Sequence, residues 1–410
     1  MLTVLTIFGT RPEAIKMAPV IRELQRHDDK IRSLVCSTGQ HGQMVEQVCE
    51  LFDIKPDINL GVMQPNQTLA GLTARLFDAL DPLMDALKPD WVLVQGDTTT
   101  VLVASLVAYY HRVAVGHVEA GLRTGDRYRP FPEELNRLTA DAVAELMFAP
   151  TTLSRQTLLN EGYCDDRILV TGNTVIDALY LAAQMPYDWH SGPLAGIPTD
   201  KRLVLVTAHR RESFGEPFRR LCTAVRDLAG HFAGDGVHFV YPVHLNPNVQ
   251  EPVHNILGTA ANITLLDPLD YLSLVQLMRR SSLILTDSGG IQEEAPALGV
   301  PVLVIRDTTE RPEGVSAGSV KLVGTSPLRI VSEAKKILTD RSAHEAMAQH
   351  HDLYGDGKAS QRIVEALLNT RLDERRALNV NRAPALASGN YIAEANQPQQ
   401  HVTKALASKS

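Results

Sequence analysis

Cysteine is scarce: Cys36, Cys49, Cys164 and Cys222 are the four in 410 residues, with no CxxC and no Cys/His metal spacing. Scattered thiols in a chain this long read as reduced, as in a cytosolic protein, and give no disulfide framework. A basic excess is absent too. The formal net charge is −7, so broad attraction to nucleic acid or an anionic membrane is not expected, although a local basic pocket is allowed. Long apolar runs are missing. The most apolar stretch, around Val101–Tyr110, is far short of the roughly 18 residues that suggest a membrane span. The N-terminus lacks the basic region and small-residue cleavage site of a signal peptide. Neither GxxxxGK[ST] nor GxGxxG occurs, which excludes an ATP P-loop and the standard dinucleotide fingerprint. The histidines show no HExxH or other ligand spacing, so no metal is expected.

What is present is an alternation. Short β-branched runs are expected as strands at Thr3–Phe8, Ile31–Ser37, Trp91–Gln95, Val113–Val118, Leu146–Ala149 and Ile168–Val170. They resume at Leu203–Thr207, Val237–Pro242, Ile263–Leu266, Leu283–Thr286 and Val302–Ile305. Helical stripes lie between them, as in Met17, Val20, Ile21 and Leu24. Near-continuous apolar strands separated by helices predict an α/β chain with doubly wound parallel sheets. The Pro- and Gly-rich segment Met185–Lys201 divides two comparable strand sets and reads as part of the interdomain connection. The expected organisation is a domain over 1–172, a second over 173–355, a helix over 356–372 and a disordered tail over 373–410.

Two turns are candidates for holding an anion. In "FGTRPEAIK", Thr10 and Glu13 have capping-box spacing, Gly9 allows a tight turn, and Arg11 and Lys16 flank the helix start. In "LTDSGGIQEEAPALG", Ser288, Gly289 and Gly290 open a helix where backbone can approach a diphosphate. Glu293 and Glu294 follow, suited either to ribose hydroxyls or to the helix dipole. Acid/base candidates are Asp97 in "QGDTTT", Glu119 in "GHVEAGLRTGD" and Glu133 in "PEELNR", all near strand ends. Asp97 fits a helix cap equally well, and Glu133 with Arg137 fits a helical ion pair. His209, Arg210 and Arg211 follow a strand, as does His244, and Arg306 and Arg311 follow the last one.

These motifs, with "TGNTVIDAL" and "RDTTERPEG", run in order from about Leu2 to about Leu368 and closely resemble the bacterial non-hydrolysing UDP-N-acetylglucosamine 2-epimerases. The resemblance implies a GT-B-type fold, two Rossmann-like domains with a C-terminal helix crossing back to the first. It implies a cytoplasmic homodimer with no metal or nicotinamide cofactor. The implied reaction interconverts UDP-GlcNAc and UDP-ManNAc through elimination of UDP to 2-acetamidoglucal and re-addition, supplying surface polysaccharide synthesis. Carried over by motif, Asp97, Glu119, Glu133 and His209 are catalytic, with no single C2 base assigned. Arg11, Lys16, Arg137, Ser288, Gly289, Gly290, Glu294 and Arg311 bind substrate. The family's activating UDP-GlcNAc site maps to Gln40, Gln43, Glu133, Arg210 and His244. Gly42 and Asn66 depart from the cations found there in relatives, and Gln40–Met44 also fits a simple helix cap. Rival readings are a GT-B glycosyltransferase, a hydrolysing epimerase releasing ManNAc and UDP, and a UDP-sugar sensor.

Overall fold

Strand β1 (Leu2–Phe8) is buried from Val4 onward and pairs in parallel on both sides, with β2 (Ile31–Ser37) and β4 (Trp91–Gln95). A strand covered on both faces has no place for alternating polar residues, which is why its sequence reads as one apolar run. The computed structural model describes residues 1–372 apart from 41, 211, 212, 350 and 351; the expected tail 373–410 lies outside the described residues.

The first sheet also holds β3 (Ile58–Asn59), β5 (Ala114–Val118), β6 (Leu146–Ala149) and β7 (Ile168–Val170), in the order β3-β2-β1-β4-β5-β6-β7. The second holds β8 (Arg202–Thr207), β9 (Val237–Pro242), β10 (Ile263–Leu266), β11 (Ser281–Thr286), β12 (Val302–Val304) and β13 (Val320–Leu322), ordered β10-β9-β8-β11-β12-β13. Every strand pairing within both sheets is parallel. Each sheet has its own apolar cluster, one around Leu5, Ile7 and Val94, the other around Val204, Phe239 and Leu285.

The strand order reverses between β1 and β4 in the first sheet and between β8 and β11 in the second. Open α/β sheets bind ligands beyond the strands' carboxyl ends at such reversals. The four loops there begin at Gly9, Gly96, Ala208 and Asp287, which are the loops the sequence motifs occupy.

Helices cover both faces. The apolar stretch near Val101 is the helix Thr99–Tyr110, buried between the helices Leu69–Leu87 and Glu133–Val143. Among the described residues no helix is long and apolar enough to cross a membrane. The helix Thr174–Gln184 packs on both Arg11–Arg26 and Tyr271–Arg280, and so touches both halves. The segment after it is fastened to the second half: Tyr187 Oη donates to Ser273 Oγ at 3.1 Å, and Arg280 lies over the Trp189 ring at 4.7 Å. The last described helix is Ala359–Asn369, shorter at both ends than the expected 356–372. Its first turn returns to the Thr174–Gln184 helix, where Ser360 N and Oγ donate to Asp177 Oδ1 at 2.8 and 2.6 Å.

Candidate active site

At the end of β1 the capping-box expectation meets a tighter arrangement. Glu13 is buried and accepts from Gly9 N at 3.1 Å, Thr10 N at 2.6 Å and Thr98 Oγ1 at 2.7 Å. The backbone donors of Gly9 and Thr10 are therefore taken by the chain's own carboxylate. Gly9 is required for close approach rather than for an unusual turn. A Cβ there would lie 2.3 Å from Thr38 Oγ1 and 2.6 Å from Thr100 Oγ1. The two cations are also engaged. Arg11 Nη2 donates to Leu269 O across to the second half at 3.0 Å. Lys16 Nζ donates to Glu119 Oε1 at 2.7 Å and Oε2 at 2.6 Å.

Glu119 is the centre of the first half. It follows β5 with φ +70°, a left-handed conformation that non-glycine residues adopt at a cost of about 1–3 kcal/mol when the surroundings impose it. Besides Lys16, Gln95 Nε2 and Asn173 Nδ2 donate to its carboxylate, the latter at 3.0 Å. Burial pushes the Glu119 carboxyl up, but Lys16 and Arg311 outweigh it and hold it below the ordinary value. Burial acts on Lys16 in the opposite sense, yet Glu119 and Glu293 keep its ammonium above its ordinary value. The pair is charged.

Asp97, one strand away, accepts from Arg137 Nη2, and Asn136 Nδ2 donates to its carbonyl at 2.8 Å. It does not cap the following helix; Thr98 is the N-cap, its hydroxyl accepting from Val101 N. The alternative of a Glu133–Arg137 helical ion pair is not formed; Arg137 contacts Asp97 and, at 3.4 Å, Glu134. Glu134 accepts from Thr124 N at 3.0 Å and Gly125 N at 3.1 Å, so it holds the preceding loop. Glu133 Oε2 is buried without a partner in the same first turn.

A residue that sequence reasoning missed supports both strand ends. His117 is fully buried, with Nδ1 at 2.6 Å from Asp141 Oδ1 and Nε2 at 2.8 Å from Gly96 O. Both partners are acceptors, so both ring nitrogens must donate and the ring is an imidazolium. Burial opposes that charge, but Asp141 overcomes it and raises the His117 pKa. The ring thereby pins Gly96, which lies between Gln95 and Asp97.

In the second half, Asp287 was likewise not singled out from sequence. Its Oδ2 accepts from His209 N and Arg210 N, both at 2.8 Å, and so ties the loop after β8 to the end of β11. His209 stacks on His244 with ring centroids 5.2 Å apart. Burial lowers the His209 pKa, and Asp287 only partly compensates. Arg311 Nε donates to Glu293 Oε1 at 2.6 Å. Burial works against the guanidinium, yet Glu293 and Glu119 hold it above its ordinary value. Glu294 accepts from Tyr271 Oη at 2.7 Å.

A cavity of about 430 Å³ lies between the halves, and its lining includes Arg11, Lys16, His209, Ser288, Gly290, Glu294 and Arg311. Asp97, Glu119 and Glu133 are not among the lining residues; Glu119 reaches the cavity through Lys16. His244 lines the cavity as well. Gly289 faces two guanidiniums: a Cβ there would lie 3.7 Å from both Arg210 Nη2 and Arg311 Cζ. Gln40 accepts from Thr100 Oγ1 at 3.3 Å, and the Gln43 side chain lies outside the described residues. Among the described residues no group of three or more His, Cys, Asp or Glu forms a metal-binding set.

Glu294 yields a pH prediction. Burial is the main cause of its raised pKa, about 7 against an ordinary 4.5, with Tyr271 opposing. Between those values the unfolded chain releases a proton that the folded chain keeps, so stability falls as pH rises. Against a Glu294→Gln protein, urea titrations at successive pH values should show the native chain losing about 3 kcal/mol across this window and no more above it.

Two doubly wound parallel sheets, with reversal-point loops around one cavity, define the GT-B class of α/β proteins. The UDP-N-acetylglucosamine 2-epimerase family model matches residues 22–368, and the chain belongs to that family. It is 54% identical over 375 residues to the UDP-N-acetylglucosamine 2-epimerase of Escherichia coli K12, covering 90% of this chain and 99% of that protein. The Neisseria meningitidis UDP-GlcNAc 2-epimerase bound to UDP-GlcNAc superposes with a TM-score of 0.82 at 46% identity, over 90% of this chain and all of that one (100%). The Methanocaldococcus jannaschii enzyme in complex with UDP-GlcNAc and UDP gives 0.76 at 31% identity, with coverages of 90% and 100%.

Proposed function

We propose that this chain is a non-hydrolysing epimerase that interconverts UDP-GlcNAc and UDP-ManNAc. The observation that carries the reading is the Lys16–Glu119 pair, with one end on the cavity and the other on a carboxylate fixed at a strand end. A C2 proton is not acidic, so its removal needs both a positioned base and a leaving group whose charge is stabilised. In this reading the diphosphate of the nucleotide-sugar recruits Lys16, Arg311 and the Ser288–Gly290 turn. Glu119 then loses the cation that keeps its pKa low and becomes a stronger base.

A carboxylate of the set Asp97, Glu119 and Glu133 takes the proton from C2, the C1–C2 double bond forms, and the C1–O bond breaks with its electrons leaving on UDP. A proton returned to the opposite face of C2, followed by re-addition of UDP at C1, gives the epimer. His209 faces the leaving group, and Glu294 is available to the ribose hydroxyls. Arg137, paired with Asp97, acts through that carboxylate. The reading extends to a cytoplasmic homodimer activated by a second UDP-GlcNAc near Gln40, Gln43, Glu133, Arg210 and His244, for which a sigmoidal dependence of rate on UDP-GlcNAc is the expected sign. The M. jannaschii enzyme, in complex with both UDP-GlcNAc and UDP, supports a site able to accept two nucleotides.

The test is incubation of purified protein with UDP-GlcNAc in D2O, followed by NMR. UDP-ManNAc carrying deuterium at C2 is expected. Intact UDP-sugar without C2 deuterium would overturn the reading. Accumulation of free ManNAc and UDP would select the hydrolysing alternative, and transfer of GlcNAc to an acceptor would select the glycosyltransferase.

A further inference from the structure

The "TGNTVIDAL" motif has no part in the mechanism above, yet its asparagine occupies the junction of the two halves. Asn173 is 2% exposed and each of its polar groups is used. Its N–H donates to Tyr354 O at 2.6 Å and its carbonyl accepts from Ile176 N at 3.0 Å. Oδ1 accepts from Val175 N at 3.1 Å and caps the helix Thr174–Gln184. Nδ2 donates twice, to Glu119 Oε1 at 3.0 Å and to Glu293 Oε2 at 2.6 Å. The backbone beneath it is fixed. Gly172, with φ +89°, lies so close to the chain that a Cβ would stand 3.0 Å from Gly355 Cα.

Glu119 follows β5 of the first sheet, whereas Glu293 belongs to the helix Gly289–Ala297 of the second half. Two carboxylates that share a dry site ordinarily cannot both stay ionised, because like charges raise each other's pKa. Here one NH2 group donates a hydrogen bond to each, and a cation closes each outer side. We propose that Asn173 is a positioning residue that keeps Glu119 and Glu293 ionised side by side, so that Glu119 is oriented by the half carrying Arg311. This inference rests on the reading of Glu119 as a participant in C2 proton transfer. When Lys16 turns to a diphosphate, Asn173 and Gln95 are what remain to hold the Glu119 carboxylate. The charged and titratable groups facing the pair are Lys16 from the helix Arg11–Arg26, Arg311 ahead of the helix Pro312–Ser316, Glu294 beside Glu293, and Tyr354.

Asn173→Ser separates bridging from capping, since serine keeps a capping oxygen but has no amide to share. The full-length variant is followed with UDP-GlcNAc in D2O across pH, with thermal melting alongside. Expected are a melting point near that of the native chain and a KM within about threefold. The kcat for C2 deuteration should fall about 100-fold, and its acidic limb should move up by about one pH unit. Adding Glu293→Gln to Asn173→Ser removes the opposing charge and should bring the limb back down. Asn173→Asp, which also keeps the capping oxygen, should move the limb further up and serves if the serine variant does not accumulate. An unmoved limb with either variant would overturn the proposal, as would a rate loss that only follows a loss of melting temperature. If the native chain itself puts no deuterium at C2, the epimerase reading fails instead.

Discussion

A Glu119→Gln protein is expected to lose C2 deuterium exchange by about 1,000-fold, which corresponds to about 4 kcal/mol of transition-state stabilisation. Glutamine preserves the shape and one acceptor oxygen, which can serve Lys16 together with either Asn173, the donor to Oε1, or Gln95, the donor to Oε2, but not both. What it removes is the charge. Lys16 then faces the cavity without its counter-ion, so UDP should bind at least as well as to the native chain while exchange fails. Because Lys16 reaches the cavity, the loss of stability should be smaller than the roughly 3–5 kcal/mol of a fully buried broken pair. The measurement is C2 exchange by NMR beside UDP titration calorimetry. Exchange within about tenfold of native would remove Glu119 as the base, and the matching Asp97→Asn protein would then carry the large defect.

Replacing Arg311 with leucine should act on both stability and binding. Arg311 is the cation on Glu293, whose carboxylate is already pushed up by burial. Its removal leaves a buried carboxylate facing Asn173 and Glu119, at a cost of about 3–5 kcal/mol and a melting temperature about 10 °C lower. The loss of a guanidinium from the cavity should also weaken UDP by about 30-fold. The two effects separate in the Arg311→Leu/Glu293→Gln protein. Neutralising the orphaned partner should restore most of the melting temperature, by differential scanning fluorimetry, and none of the affinity. Recovery of UDP binding in the double variant would mean that Arg311 acts only through Glu293.

The parallel-sheet architecture was legible because buried strands leave apolar, β-branched runs. β1, β2, β4 and β9 are plain in the sequence for that reason. β3 and β13 were not: β3 has two residues and β13 is interrupted by Lys321, whereas the equally short edge strand β7 is an unbroken Ile-Leu-Val. The GT-B class and the epimerase family were legible through long motifs, and the comparisons agree with both. The pairings inside the site were not legible. Lys16 meets Glu119 across 103 residues, and Asp287 meets the His209 backbone across 78, through registers that only the folded sheets create. His117 and Asp141 looked like one residue of an apolar strand and one of a helix; their contact across 24 residues needs both in place. The same holds for Arg11 and Lys16, which read as free cations in the sequence. The partners they find, Leu269 O and Glu119, lie in distant segments.

With Glu119 and Glu293 both ionised, as proposed, Lys16, Glu119, Glu293 and Arg311 carry two positive and two negative charges, so the buried centre contributes almost no field beyond its own walls. Mobile ions screen exposed charges over about 8–10 Å at ordinary ionic strength and reach buried ones much less. In the proposed mechanism salt therefore has little purchase on the proton transfers. It acts instead outside, where a chain of net charge −7 repels an anionic nucleotide at long range. Raising ionic strength weakens that repulsion, which leaves an enzyme whose encounter with substrate is eased by salt and whose chemistry is indifferent to it.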